Sequence, residues 1–110
     1  MTPLGKIVVP VPGTPVQFVA PPPAGIQPVK ANSIYVQVWK ANTGFVYIGK
    51  AGMVKATGVG VLAQLPIPTM TSIPEWSNVI PGCPDPFALQ DLWVDADVAG
   101  DAVLVSFNCW

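Results

Sequence analysis

Histidine and arginine are absent from the 110 residues, and charge of either sign is scarce, with five lysines and six acids making up 10% of the chain. Without histidine there is no imidazole general base, no Ser-His-Asp arrangement and no histidine metal ligand. Without arginine there is no bidentate clamp for phosphate. Two cysteines, Cys83 and Cys109, cannot complete a four-ligand zinc site, and neither has a base partner to make it a nucleophile. Five lysines within a net charge of −1 leave no basic surface to neutralise phosphates. Nucleic acid is therefore not expected as a partner, although four tryptophans would suit base stacking. Long apolar runs are missing as well. Prolines and glycines interrupt each one before the roughly 18 residues that a membrane helix needs. Pro10, Pro12 and Pro15 follow Lys6 too closely for a secretory signal. The expectations are no enzyme, no cofactor, no metal and no membrane, for a chain made and folded in the cytoplasm.

What is present is apolar. Hydrophobic residues are 51% of the chain, whereas ordinary domains carry roughly a quarter charged residues. So few ionic side chains cannot cover the surface of one small domain, and part of the apolar exterior is expected to be buried against a partner. The charges are also segregated. All lysines (Lys6, Lys30, Lys40, Lys50, Lys55) precede all acids (Glu75, Asp85, Asp91, Asp95, Asp97, Asp101). Either early strands pair with late ones and the charges meet within a subunit, or a basic edge meets an acidic edge on a neighbour.

Period-two alternation dominates the chain. Ser33–Lys40 sets Ile34, Val36 and Val38 on one face and Tyr35, Gln37 and Trp39 on the other. With the turn residues Ala41-Asn42-Thr43-Gly44 and the β-prone Phe45–Gly49 it predicts a hairpin over 33–49. Asp91–Asp97, the turn Ala99-Gly100-Asp101 and Ala102–Asn108 predict a second hairpin, with Asp95 and Asp97 on its solvated face and Asp101 in the turn. Shorter strands are expected at Lys6–Val11, Val16–Ala20 and Val59–Leu65, the first on a sheet edge or in an arm because its prolines lack N–H donors. No helical periodicity runs over three turns. The fold class expected is all-β, an antiparallel β-sandwich or jelly roll in a single domain over 1–110 with proline-rich arms.

Two proline-rich stretches break the pattern, Pro21–Pro28 and a longer one from Pro66 to about Phe87 with six prolines. The second reads as a long loop over about 66–88, either folded over its own sandwich or packed on another subunit. The N-terminal residues, about 1–15, read as an arm. These segments supply the candidate interface residues Ile7, Val9, Pro10, Pro12, Ile67, Met70, Ile73 and Trp76, with Trp110 as a further anchor. Cys83 and Cys109 are either two buried thiols or a disulfide. The aspartates of 91–101 lack the closing glutamate of an EF-hand loop. Trp39, Trp76 and Trp93 would serve a sugar-stacking platform if exposed together, but core packing and interface anchoring are the commoner uses of tryptophan.

The stretches Ile34–Gly49 (IYVQVWKANTGFVYIG) and Leu89–Asn108 (LQDLWVDADVAGDAVLVSFN), with the opening Ile7–Val19 and its Pro15-Val16-Gln17, resemble the decoration (cement) proteins of short-tailed enterobacterial phages. About two thirds of the chain takes part. The resemblance implies a jelly-roll-like fold and a virion protein on the outside of the capsid, stapling neighbouring subunits of the major capsid protein. It also implies a homo-dimer or homo-trimer on the shell and no catalytic residues. The stretch 66–88 and the Cys109-Trp110 ending depart from the pattern. A receptor- or glycan-binding module of a virion, or a tail or head–tail joining protein, are the alternatives.

Overall fold

Alternating aliphatic residues become the shared core of two antiparallel sheets. The computed structural model describes residues 2–19, 30–79, 87–88 and 92–109. They form β1 (Thr2–Val8), β2 (Val16–Gln17), β3 (Lys30–Val38), β4 (Val46–Val54), β5 (Val59–Leu65), β6 (Glu75–Val79), β7 (Phe87–Ala88), β8 (Trp93–Ala96) and β9 (Ala102–Cys109). One sheet has the order β1-β9-β3-β6, with β7 also on β3, and the other β2-β8-β4-β5.

The pairs are nested. β1 pairs with β9, β2 with β8, β3 with β6 and β4 with β5, alternating between the sheets, so the chain wraps as one doubled-back ribbon around the core. This is the jelly-roll form of a β-sandwich. Ile34, Val36 and Val38 of β3 and Val103, Val105 and Phe107 of β9 face Val46 and Ile48 of β4 and Val94 and Ala96 of β8, all buried. Each of the buried Val, Ile and Phe side chains contributes about 1.5–3 kcal/mol through burial.

Three expectations are corrected. The segment 33–49 is not a hairpin, because β3 and β4 lie in different sheets, and the same holds for β8 and β9. Period-two alternation reports which face of a strand is buried, not which strand lies beside it. Two strands facing each other across a core show the same pattern as two strands side by side. The stretch 66–88 is not wholly loop either, since the proline-free Glu75–Val79 pairs with Ser33–Gln37. The first strand takes the edge position expected of it: β1 ends its sheet, with Lys6, Ile7 and Val8 in register with Leu104, Val103 and Ala102.

The one hairpin of the four-stranded sheet, β4–β5, bends back on itself. A straight strand would carry Lys55 about 30 Å from Val46. Instead Lys55 Nζ donates to the Ala96 carbonyl at 2.5 Å, and Ala96 is the register partner of Val46. The ladder between β4 and β5 shifts between Gly49 and Val54, and Gly52, Gly58 and Gly60 take positive φ. The bend brings Met53 against Gly49 and Gly60, so closely that a Cβ on Gly49 would stand 2.5 Å from the Gly60 carbonyl oxygen.

Candidate interaction surface

Register sets four connections at one end of the sandwich. Val8 is level with Ala102, Val38 with Val103 and Gln37 with Glu75 in one sheet, and Val16 with Val94 and Val46 with both Ala96 and Leu65 in the other. The loops 9–15, 39–45, 66–74 and 97–101 therefore leave the same end.

Buried polar side chains bind three of these loops together. The Asn42 amide donates to the Ala102 carbonyl at 2.8 Å and accepts the Ala102 N–H at 2.8 Å. The Asp101 carboxylate accepts Gly44 N–H at 2.8 Å and Thr43 N–H at 3.2 Å. Asp95 Oδ1 accepts Gly13 N–H at 3.0 Å and its neighbour Ala96 N–H at 2.8 Å. Backbone bonds Val9 N–H to Asp101 and Gly100 N–H to Val9, both 2.9 Å, complete the junction. Asp95, expected on a solvated face, is 1% exposed, and Asp101 is buried as well. Asp95 does point to the side of β8 opposite the core, but that side is covered by neighbouring chain, and alternation carries no information about what covers a sheet.

The fourth loop is different. Residues 66–74 (PIPTMTSIP) contain no charge and three prolines. Thr69 N–H donates to the Ser72 carbonyl at 2.8 Å and Ser72 N–H to Thr69 Oγ1 at 3.0 Å, which closes a tight turn with Met70 at its tip. Met70 is fully exposed, and Ile67 and Ile73 are exposed beside it. Val11 and Val98, on two of the other loops at this end, are exposed too. Lys6 lies over the Trp39 ring at 4.2 Å and Lys40 at 5.9 Å.

Of the residues expected at an interface, Pro10, Pro12, Ile67, Met70 and Ile73 are exposed on these loops. Val9 is fully buried in its own core and has no surface for a partner. Ile7 and Trp76 are partly buried against that core. Trp110 and Cys83 lie outside the described residues, and with Cys83 the question of a disulfide to Cys109. Trp76 packs on the core, Trp93 lies on the opposite side of β8 from Val94, and Trp39 follows the end of β3, so the three indoles share no single platform.

Electrostatics follow the nested pairing, which brings early strands against late ones. Lys55 and Asp97 form an ion pair at 3.1 Å, and Tyr47 OH donates to Asp97 at 3.0 Å. Burial, then the bond to Asp97, raises the Tyr47 phenol above its ordinary 10.0. A hydrogen bond to Glu75 is the largest cause raising Tyr35. Among the described residues no three Cys, Asp or Glu side chains converge as metal ligands. The sequence gives no sign of Asp95 and Lys55 as structural ties; Asn42 and Asp101 are marked only as turn residues, in Asn42-Thr43-Gly44 and Ala99-Gly100-Asp101. No protein-family model, curated protein or solved structure matches the chain.

Proposed function

We propose that this chain is a structural virion protein that binds the outside of a phage capsid and staples neighbouring major capsid subunits, docking through the end that carries loop 66–74. The observation that carries the reading is Met70, fully exposed at the tip of a hydrogen-bonded turn in an uncharged stretch. An apolar anchor held in one conformation loses little freedom on docking, and prolines on both sides limit what the free loop has to lose. The three neighbouring loops are tied by buried hydrogen bonds, so the anchor stands on a rigid base. Resemblance of Ile34–Gly49 and Leu89–Asn108 to decoration proteins supplies the identity of the partner. The sandwich fold agrees with that role but hosts many others. The dispersed tryptophans favour protein contact over a glycan platform.

The test is cosedimentation of the purified chain with empty heads assembled from the major capsid protein of the same genome. Saturable binding, together with heads that resist higher temperature when coated, is the expected result. Heads that neither retain the chain nor gain heat resistance overturn the reading, and binding confined to the portal vertex or tail replaces it with a joining role.

A further inference from the structure

We infer that the tip of the β4–β5 hairpin, residues 50–60, is a latched flap over the outer face of the four-stranded sheet, held shut by Lys55 and able to open while the rest of the sandwich stays folded. This does not depend on the capsid reading.

Four observations converge on it. The flap is fastened at its end by one side chain: Lys55 Nζ bonds the Ala96 carbonyl at 2.5 Å and Asp97 at 3.1 Å, and stands 5.9 Å from the Tyr47 ring centre. Its base is a hinge, because the β4–β5 register is interrupted between Gly49 and Val54 and Gly52, Gly58 and Gly60 have positive φ. Glycines at 49 and 60 also allow the close crossing with Met53, which is buried in the closed position. The outer face of the sheet holds two buried polar atoms without partners, Trp93 Nε1 and Asp95 Oδ2. Trp93 is the register partner of Gly49, and Asp95 of Tyr47.

Closed, the hairpin buries Met53 and satisfies Lys55, while Trp93 Nε1, beside Gly49 on the face beneath, is kept from water without a partner. Open, that donor is hydrated, which offsets part of what the closed contacts contribute. Elements with few ladder bonds and an unsatisfied face open locally, below the free energy of global unfolding. The flap also carries the exposed Val54 and Val59, so opening would move an apolar tip outward and uncover Trp93 and Tyr47 together.

Hydrogen exchange of the full chain, followed by mass spectrometry, tests this with Lys55→Met, which keeps the aliphatic stem and removes the charge. Amides of 50–60 should exchange about tenfold faster in the variant, the factor corresponding to loss of one charge-assisted hydrogen bond, while β3 and β9 keep wild-type protection. Asp97→Asn, or added salt on the wild-type chain, should act in the same direction at the same residues. Unchanged exchange at 50–60 in Lys55→Met overturns the flap. So does acceleration spread equally over β3 and β9, since the hairpin would then belong to the global cooperative unit. If Lys55→Met fails to fold, the salt series on the wild-type chain decides by the same two criteria.

Discussion

Asn42 and Ala102 exchange a pair of hydrogen bonds through one side chain, with the amide donating to the Ala102 carbonyl and accepting its N–H, both at 2.8 Å. The side chain takes the place of a neighbouring strand just where β9 begins, so a loop residue finishes a sheet. Asn42 is buried; the Ala102 carbonyl also accepts Trp39 N–H at 2.9 Å, so Asn42→Ala leaves the Ala102 N–H without its partner. The expected cost is about 1–3 kcal/mol, that of one unsatisfied buried group. Asn42→Asp turns the donating nitrogen into an oxygen facing a carbonyl and should be no milder. Urea unfolding checks both, and a midpoint within error of wild type would mean the junction contributes nothing.

Asp101 is the companion case, with its carboxylate fixed on Thr43 and Gly44 N–H. Asp101→Asn keeps the shape but offers one NH2 where two acceptors stood, and should cost about 1–3 kcal/mol. Because Asn42 and Asp101 both tie loop 39–45 to the start of β9, their double variant should lose less than the two single losses combined. A double-mutant cycle with strict additivity would contradict a shared junction.

Gly49 and Gly44 both lack room for a methyl group, yet their predicted costs differ. A Cβ at Gly44 meets first the side-chain tip Val98 Cγ2 at 2.7 Å, which can rotate away, whereas at Gly49 it meets the Gly60 backbone oxygen at 2.5 Å. Gly49→Ala should therefore cost about 1–3 kcal/mol as overpacking does, and Gly44→Ala distinctly less. Thermal melts of the two variants give the comparison, and equal losses would remove the distinction between backbone and side-chain obstruction.

Tyr35 and Tyr47 both titrate above 10.0, for different leading causes. Removing the carboxylate partner should lower Tyr35 most of the way in Glu75→Gln, where the hydrogen bond leads. In Asp97→Asn, Tyr47 should fall only part of the way, because burial leads there. Absorbance titration of tyrosinate follows both. A raised folded pKa means the neutral phenol favours the fold. That contribution is whole below the unfolded value and fades as pH rises through the folded one, so stability should decline above about pH 10. Stability rising over that range would show the sign to be wrong.

The core was legible from the sequence because alternation identifies a buried face. Ile34, Val36, Val38, Val103, Val105 and Phe107 were all placed on apolar faces by period two, and all are buried. The partners of those strands were not legible. Asn42-Thr43-Gly44 and Ala99-Gly100-Asp101 carry the residue types of tight hairpins, and what makes them crossings between sheets is a set of hydrogen bonds to residues far away in sequence. Asp95 was misplaced for a related reason, since its burial comes from loop 9–15, through Gly13, and not from its own strand. Val9 was misplaced because three prolines nearby suggested an arm, whereas Val9 ends the segment that seals the core beside Asp101. The apolar, uncharged character of 66–74 is legible in the sequence, but whether that run folds over its own sandwich or stands out from it is not; the structure leaves Met70 exposed at its tip.

Docking through that tip is tested most directly by Met70→Asp combined with Ile73→Asp. Both side chains are exposed, so the double variant should unfold within about 0.5 kcal/mol of wild type. The measurement is occupancy on empty heads of the same genome's major capsid protein, read by cosedimentation beside the wild-type chain. Wild-type saturation with loss of binding in the equally stable variant is the predicted result. Undiminished occupancy of the variant would contradict docking through loop 66–74.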